Sequence, residues 1–190
     1  MKKRVLLSLL ILSLLGCDSL DKRSAKVIDS QVEGLEYQCA GLIEYTNKDG
    51  NLSCAHMPLA LKVGEIKLGI IREIPEDGYI LPQDIAGVKR KEITNIDVIK
   101  ITTILQSLDK DKDPTNGIQI TKETSNKLKV FIDIKKESLE DIKELIESQI
   151  EDINFTSPKS SISHLYNSMK KFNILKDINL TSKINSLEKF

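Results

Sequence analysis

Residues 93–120 read ITNIDVIKITTILQSLDKDKDPTNGIQI, and the fold turns on what this stretch becomes. Thr94 and Asp97 have the spacing of a capping box, with Asp in place of the usual Glu, so hydroxyl and carboxylate can each accept from first-turn amides. Val98, Ile101, Leu105 and Leu108 then recur at helical spacing, and Ile99 and Ile104 widen the apolar face, which predicts a well-buried helix. Asp109, Asp111 and Asp113 follow at alternate positions. Pro114 cannot continue a helix, and Asn116-Gly117 is a turn signal. Ile118 and Ile120 flank a polar residue, which fits entry into a strand. The stretch therefore predicts a capped helix, an acidic loop and a strand.

Three carboxylates at alternate positions repel one another unless something lies between them. In a loop they can converge on one hard cation, as in the first half of an EF-hand. The candidate metal ligands are Asp109, Asp111, Asp113 and Asn116, with Ca²⁺ as the cofactor. The twelfth position from Asp109 is Ile120 and not a bidentate Glu, so remaining ligands would come from backbone carbonyls, water or Glu123. The alternative is a solvated turn in which Lys110 and Lys112 offset the acids.

The N-terminus sets the compartment. Lys2, Lys3 and Arg4 precede an apolar run from Val5 to Leu15, too short for a permanent membrane helix. Leu14-Leu15-Gly16-Cys17 resembles the bacterial lipobox, which implies cleavage before Cys17 and lipidation of its sulfur. Two or three acyl chains anchor a protein stably. The expected organisation is a signal peptide over residues 1–16, a lipidated Cys17 with a polar tether over 17–31, and a single α+β domain over 32–190. The expected location is the bacterial cell envelope, anchored through lipid and outside the cytoplasm, with the choice of membrane left open.

The whole chain has 190 residues and no net charge. Loss of residues 1–16 removes three basic residues and no acid, leaving a mature charge of −3. No basic stripe with interleaved aromatics appears, so a nucleic-acid partner is not expected. With Cys17 lipidated, Cys39 and Cys54 form an even pair in an oxidising compartment, and a disulfide is expected. A metal site from Cys39, Cys54, His56 and distant His164 is the alternative, although the spacing matches no familiar zinc motif.

Short strands are predicted from Val32 to about Gly69. Leu35, Tyr37 and Cys39 alternate, Leu42–Thr46 follows, Asn47–Gly50 turns, and Leu52 and Cys54 begin a third strand, so the cysteines could meet across a hairpin-like pair. Leu59, Leu61 and Val63 alternate again, and Ile66, Leu68 and Ile70 return after Gly64-Glu65. Residues 80–85 predict a turn or short helix. Residues 129–134 predict a strand. Ser138 with Asp141 is a second capping box, Ser157-Pro158 an N-cap and first helical residue, and residues 180–190 a short terminal helix. The fold class is α+β: a small antiparallel, sandwich-like, disulfide-stapled β part followed by a helical part.

Several of these pieces resemble one family. Val32-Glu33-Gly34-Leu35-Glu36-Tyr37, Leu61-Lys62-Val63-Gly64, Lys67-Leu68-Gly69 and Leu81-Pro82-Gln83-Asp84-Ile85 match loosely. Leu105 to Ile118, LQSLDKDKDPTNGI, resembles its hallmark L-Q-S-L-D-x-D-G-D-P-S-N-G-I. Ser163-His164-Leu165 resembles a late A-x-x-H-L. Together they resemble an uncharacterised module of bacterial secreted proteins and lipoproteins, often ahead of larger surface or adhesin-like regions. The resemblance implies an extracytoplasmic module and carries no established chemistry. One departure is Lys112, where the family has Gly.

No nucleophile elbow, P-loop, dinucleotide fingerprint or H-E-x-x-H is present. His164 lies beside the apolar face of its helix and reads as a satisfied core histidine rather than a general base. The acids between Glu140 and Asp152 fall mostly on the polar side of an amphipathic helix. The expected function is a non-enzymatic, membrane-anchored interaction module whose partner is an envelope or surface protein or glycan. Its rivals are a purely structural lipoprotein without metal, and an enzyme with a site near the acidic loop and His164.

Overall fold

A computed structural model that describes residues 23–174 and 180–189 has ten short strands and six helices. The chain is α+β, with strands dominating the first half and helices the second. Strands β3 (Glu36–Cys39), β4 (Leu42–Tyr45), β6 (Leu59–Val63) and β7 (Ile66–Ile71) form two antiparallel hairpins, β3–β4 and β6–β7, joined by antiparallel pairing of β3 with β6. Ala40 and Gly41 both take positive φ, 51° and 83°, as a two-residue primed turn between β3 and β4 requires. Strand β10 (Ile132–Asp133) adds in parallel to the far edge, giving the order β10-β7-β6-β3-β4. Leu59, Leu61 and Val63 are buried while Ala60 and Lys62 are half-buried, the period of two expected of a sheet with one core face.

Strand β1 (Arg23–Val27) builds a second sheet, pairing antiparallel with β5 (Asn51–Cys54) and parallel with β8 (Tyr79–Ile80). Two expectations change here. Residues 23–31 belong to the fold and not to a tether: Ala25, Val27 and Ile28 are buried in the core. Their short alternation is masked in the sequence by polar flanks. Strand β5 does not return on β4 but crosses to β1. The Cys39–Cys54 disulfide is present and therefore joins two different sheets, not two strands of a hairpin.

Helix α2 (Ile96–Ser107) is buried at every residue from Val98 to Ser107. Each fully buried Ile or Leu there contributes about 1.5–3 kcal/mol. Even Lys100 is buried, its amine donating to the Ile134 carbonyl at 2.8 Å and lying 3.3 Å from Asp97. The N-cap is Asn95, one residue after the expected Thr94, with its side chain accepting from the Asp97 amide. Helix α2 packs on α1 (Pro82–Ala86) and α5 (Pro158–Lys171). Helix α5 starts at Ser157 and α4 (Leu139–Glu147) at Ser138, the caps expected from sequence.

Two further segments depart from expectation. Residues 122–127, all polar, form α3 (Lys122–Lys127), capped by Thr121. The strand expected over 129–134 shrinks to β10, because Val130 and Phe131 stay exposed. The terminal helix is α6 (Thr181–Asn185), continued by a 3-10 turn. The remaining pair, β2 (Val32–Glu33) with β9 (Ile118–Gln119), is parallel and ties the strand half to the end of the acidic loop.

Candidate functional site

The acidic loop hangs between α2 and β9 and is closed by its own carboxylates. Helix α2 ends at Leu108, whose amide still donates to the Ile104 carbonyl, so Asp109 enters the loop while still in the core. The Lys110 amide donates to the Gln119 carbonyl at 3.0 Å, and the Gln119 amide donates to Asp109 Oδ1 at 2.8 Å. Asp111 Oδ1 accepts from the Asp113 amide at 3.0 Å, and Oδ2 accepts from Asn116 Nδ2 at 2.9 Å. Asp113 Oδ1 accepts from the Thr115 amide at 3.1 Å and its hydroxyl at 2.6 Å, capping the 3-10 turn Pro114–Asn116. Lys112 has φ 63°, the left-handed conformation in which Gly is most at ease. Its amine donates to the Ser107 carbonyl.

Of the four expected ligands, Asp109, Asp111 and Asn116 come together. Asp113 does not join them: its carboxylate is engaged in the turn cap. Among the described residues no three His, Cys, Asp or Glu side chains group as metal ligands. Burial, followed by the adjacent Asp111 carboxylate, pushes the Asp109 carboxyl above its usual range, against the Gln119 amide. Asp111 lies below the usual range, held there by the Asn116 amide and the Asp113 N–H. Burial lowers the Lys112 amine.

A second polar cluster lies where the β1–β2 turn meets α5. His164 Nε2 is 3.0 Å from Ser30 Oγ and 3.3 Å from Ser168 Oγ, and the Ser30 amide donates to Ser168 Oγ at 3.2 Å. The Asp29 carbonyl also bonds the ring, while burial lowers the His164 pKa below its ordinary value. Ser30 is left-handed at φ 60°. Asp29 beside it is fully buried, with Gln106 Nε2 at 3.2 and 3.0 Å from its two oxygens, and burial raises its carboxyl to about 7 against that hydrogen bond. The same Gln106 nitrogen donates to the Ser161 carbonyl at 3.0 Å. His164 is thus a hydrogen-bonded, half-buried histidine, as the sequence suggested.

Sequence reasoning missed Asp29 and Ser30, placed in the supposed tether. The signal available was on α5: Ser161, His164 and Ser168 share one helical stripe inside an otherwise apolar face. A serine hydroxyl on a neutral imidazole is the start of a nucleophile–base pair. Ser30, however, is 3% exposed, and four cavities among the described residues, of about 670, 340, 290 and 210 Å³, are lined by other residues. The largest of these four lies between β7 and α1, with Gly69, Ile70, Ile85 and Lys135 in its walls.

Cys39 and Cys54 are consumed by their disulfide, which removes the thiolates a zinc site would need. His56 is exposed. The lipidation residue Cys17 lies outside the described residues. No described helix is long and apolar enough to cross a membrane. No protein-family model, curated protein or solved structure matches this chain.

Proposed function

We propose that this chain is a lipid-anchored module of the bacterial cell envelope that acts by contact with an envelope or surface partner and not by catalysis. The observation that carries the contact reading is β4. It is the edge of the five-stranded sheet, and Leu42, Ile43 and Tyr45 are 66, 52 and 40% exposed. An edge strand offers unpaired N–H and C=O groups, and natural proteins usually guard such edges with charge, Pro or a bulge. Here only Glu44 is charged, and Tyr37 already binds it at 2.7 Å. Exposed apolar surface of this kind marks interaction sites.

The anchoring reading rests on Leu14-Leu15-Gly16-Cys17 and agrees with a disulfide formed in an oxidising compartment. Five residues separate Cys17 from the start of β1. At no more than about 3.6 Å each, they hold that end of the domain within roughly 20 Å of the lipid. The resemblance of Leu105–Ile118 to a module of surface proteins points the same way.

The test is photo-crosslinking in intact cells, with the crosslinker in place of Ile43 and, as a control, of exposed Glu140. A discrete adduct from position 43 alone, in a membrane fraction emptied by Cys17→Ser, is expected. No adduct at 43, or an unchanged membrane fraction in Cys17→Ser, contradicts the contact or the anchor respectively.

A further inference from the structure

Asp109 stands apart from the other loop carboxylates. Asp111 and Asp113 are solvent-exposed, whereas Asp109 is 1% exposed. Its Oδ1 is satisfied by the Gln119 amide, but among the described residues no donor reaches its buried Oδ2. The Asp111 carboxylate is its side-chain neighbour. No ion pair joins Asp109 to a lysine among the described residues, and the nearby Lys112 amine is turned to the Ser107 carbonyl. A buried carboxylate oxygen without a donor, beside a second carboxylate, is costly, and a cation between the two acids offsets both the missing donor and the repulsion of like charges.

We propose that a hard divalent cation of the Ca²⁺ class occupies this position, bound by Asp109 Oδ2, the Asp111 carboxylate and the side-chain oxygen of Asn116, with water filling the remaining positions. Asn116 already meets Asp111 at 2.9 Å, and turning its amide over presents oxygen in place of nitrogen. The three residues line a cavity of about 210 Å³ that extends to Gln31 and Glu33, and exposed Asp111 gives the ion an entry path. Hard cations take oxygen ligands and keep water readily, and a site with two carboxylates belongs to the weak class, on the order of 10⁻⁴–10⁻³ M, that serves extracellular modules. Asp113 is outside the set because it does not line this cavity, its Oδ1 being turned to Thr115 as the cap of the 3-10 turn. The ion would fix the joint between α2 and β9, and through the β2–β9 pair the strand half of the fold. This inference does not depend on the β4 contact or on the lipid anchor.

The test uses the full chain in a non-ionic detergent, stripped with EDTA and compared at matched ionic strength with and without 10 mM (about 10–100 times the expected dissociation constant) CaCl₂, by calorimetric titration and thermal melting. Expected are a measurable binding isotherm and a melting temperature raised by roughly 3 °C or more. Asp109→Asn keeps the Gln119 contact and removes the buried charge. It should abolish the isotherm and the shift while melting above the cation-free wild type. Asp113→Asn should retain both. No isotherm in the wild type overturns the site, as does a shift that survives Asp109→Asn. Loss of binding in Asp113→Asn overturns the three-residue ligand set. A wild type indifferent to Ca²⁺ but stabilised by acid through Asp109 would show that a proton occupies the position, and overturns the proposal too.

Discussion

At residue scale, the buried acids hold more of the physics than the exposed ones. Asp29 ionises near 3.8 in an open chain and at about 7 in the fold, because burial penalises its charge more than Gln106 compensates. Between those pH values folding takes up a proton. The contribution of Asp29 is therefore complete below about pH 4 and is lost as pH rises to about 7, by up to tenfold in the folding constant per pH unit. His164 works in the opposite sense: its lowered pKa costs stability as pH falls below its ordinary 6.5. Asp29→Asn isolates the first effect, since both proteins keep His164. The variant should match the wild type near pH 4 and exceed it by a few kcal/mol at pH 8. Denaturant titration at the two pH values checks this; equal stabilities at pH 8 would contradict it. None of it was legible, because an Asp followed by Ser in a polar segment looks solvated. Lys112 is the converse. The sequence marked Lys112 only as a departure from the quoted hallmark, and the structure puts it in the left-handed region, where Gly is most at ease.

At the scale of elements, what could be read depended on length. Helices α4 and α5 announce themselves by a cap and a periodic face, and both caps fall where the sequence put them. The cap of α2 slipped by one because Thr94 and Asn95 are both cap-formers and only packing chooses between them. Helix α3 has no apolar period to read. The two-residue strands β2, β8, β9 and β10 are too short to alternate, and each pairs in parallel with a segment remote in sequence. Gly34 shows how such a pairing is nonetheless written in one residue. It follows β2 with φ 76°, and a Cβ there would lie 1.9 Å from the Ile120 carbonyl oxygen just past β9. Gly34→Ala combines left-handed strain with a backbone clash and should cost about 3 kcal/mol. A denaturant midpoint within about 1 kcal/mol of wild type would mean that the β2–β9 joint yields without cost.

On the scale of the whole molecule, the two larger sheets must be kept together although, among the described residues, no strand ladder joins them. The chain leaves the five-stranded sheet at β4 and enters the three-stranded one at β5, which pairs with β1 and not with its sequence neighbour. Composition and spacing predicted the Cys39–Cys54 bond, but a hairpin would have explained it equally well. The distinction depends on β1, whose pattern is only Ala25 and Val27 about a lysine. The energetic consequence differs between the two. In a hairpin, β4–β5 hydrogen bonds would already hold the 15-residue separation closed, and a disulfide would duplicate them. Here the bond closes a loop that no ladder closes, so the chain-entropy gain for such a loop, about 3 kcal/mol, should appear in full. Reduction of the full chain should therefore lower its melting temperature by roughly 6–12 °C at this chain length. The fold itself should survive, because β5 keeps its ladder on β1 and both sheets keep their shared core. Cys39→Ser with Cys54→Ser should melt at the reduced temperature with unchanged secondary structure by circular dichroism. A melting temperature indifferent to reductant would mean that the core alone holds the sheets in register. Loss of secondary structure in the double variant would mean that the staple is needed to form the fold as well as to stabilise it.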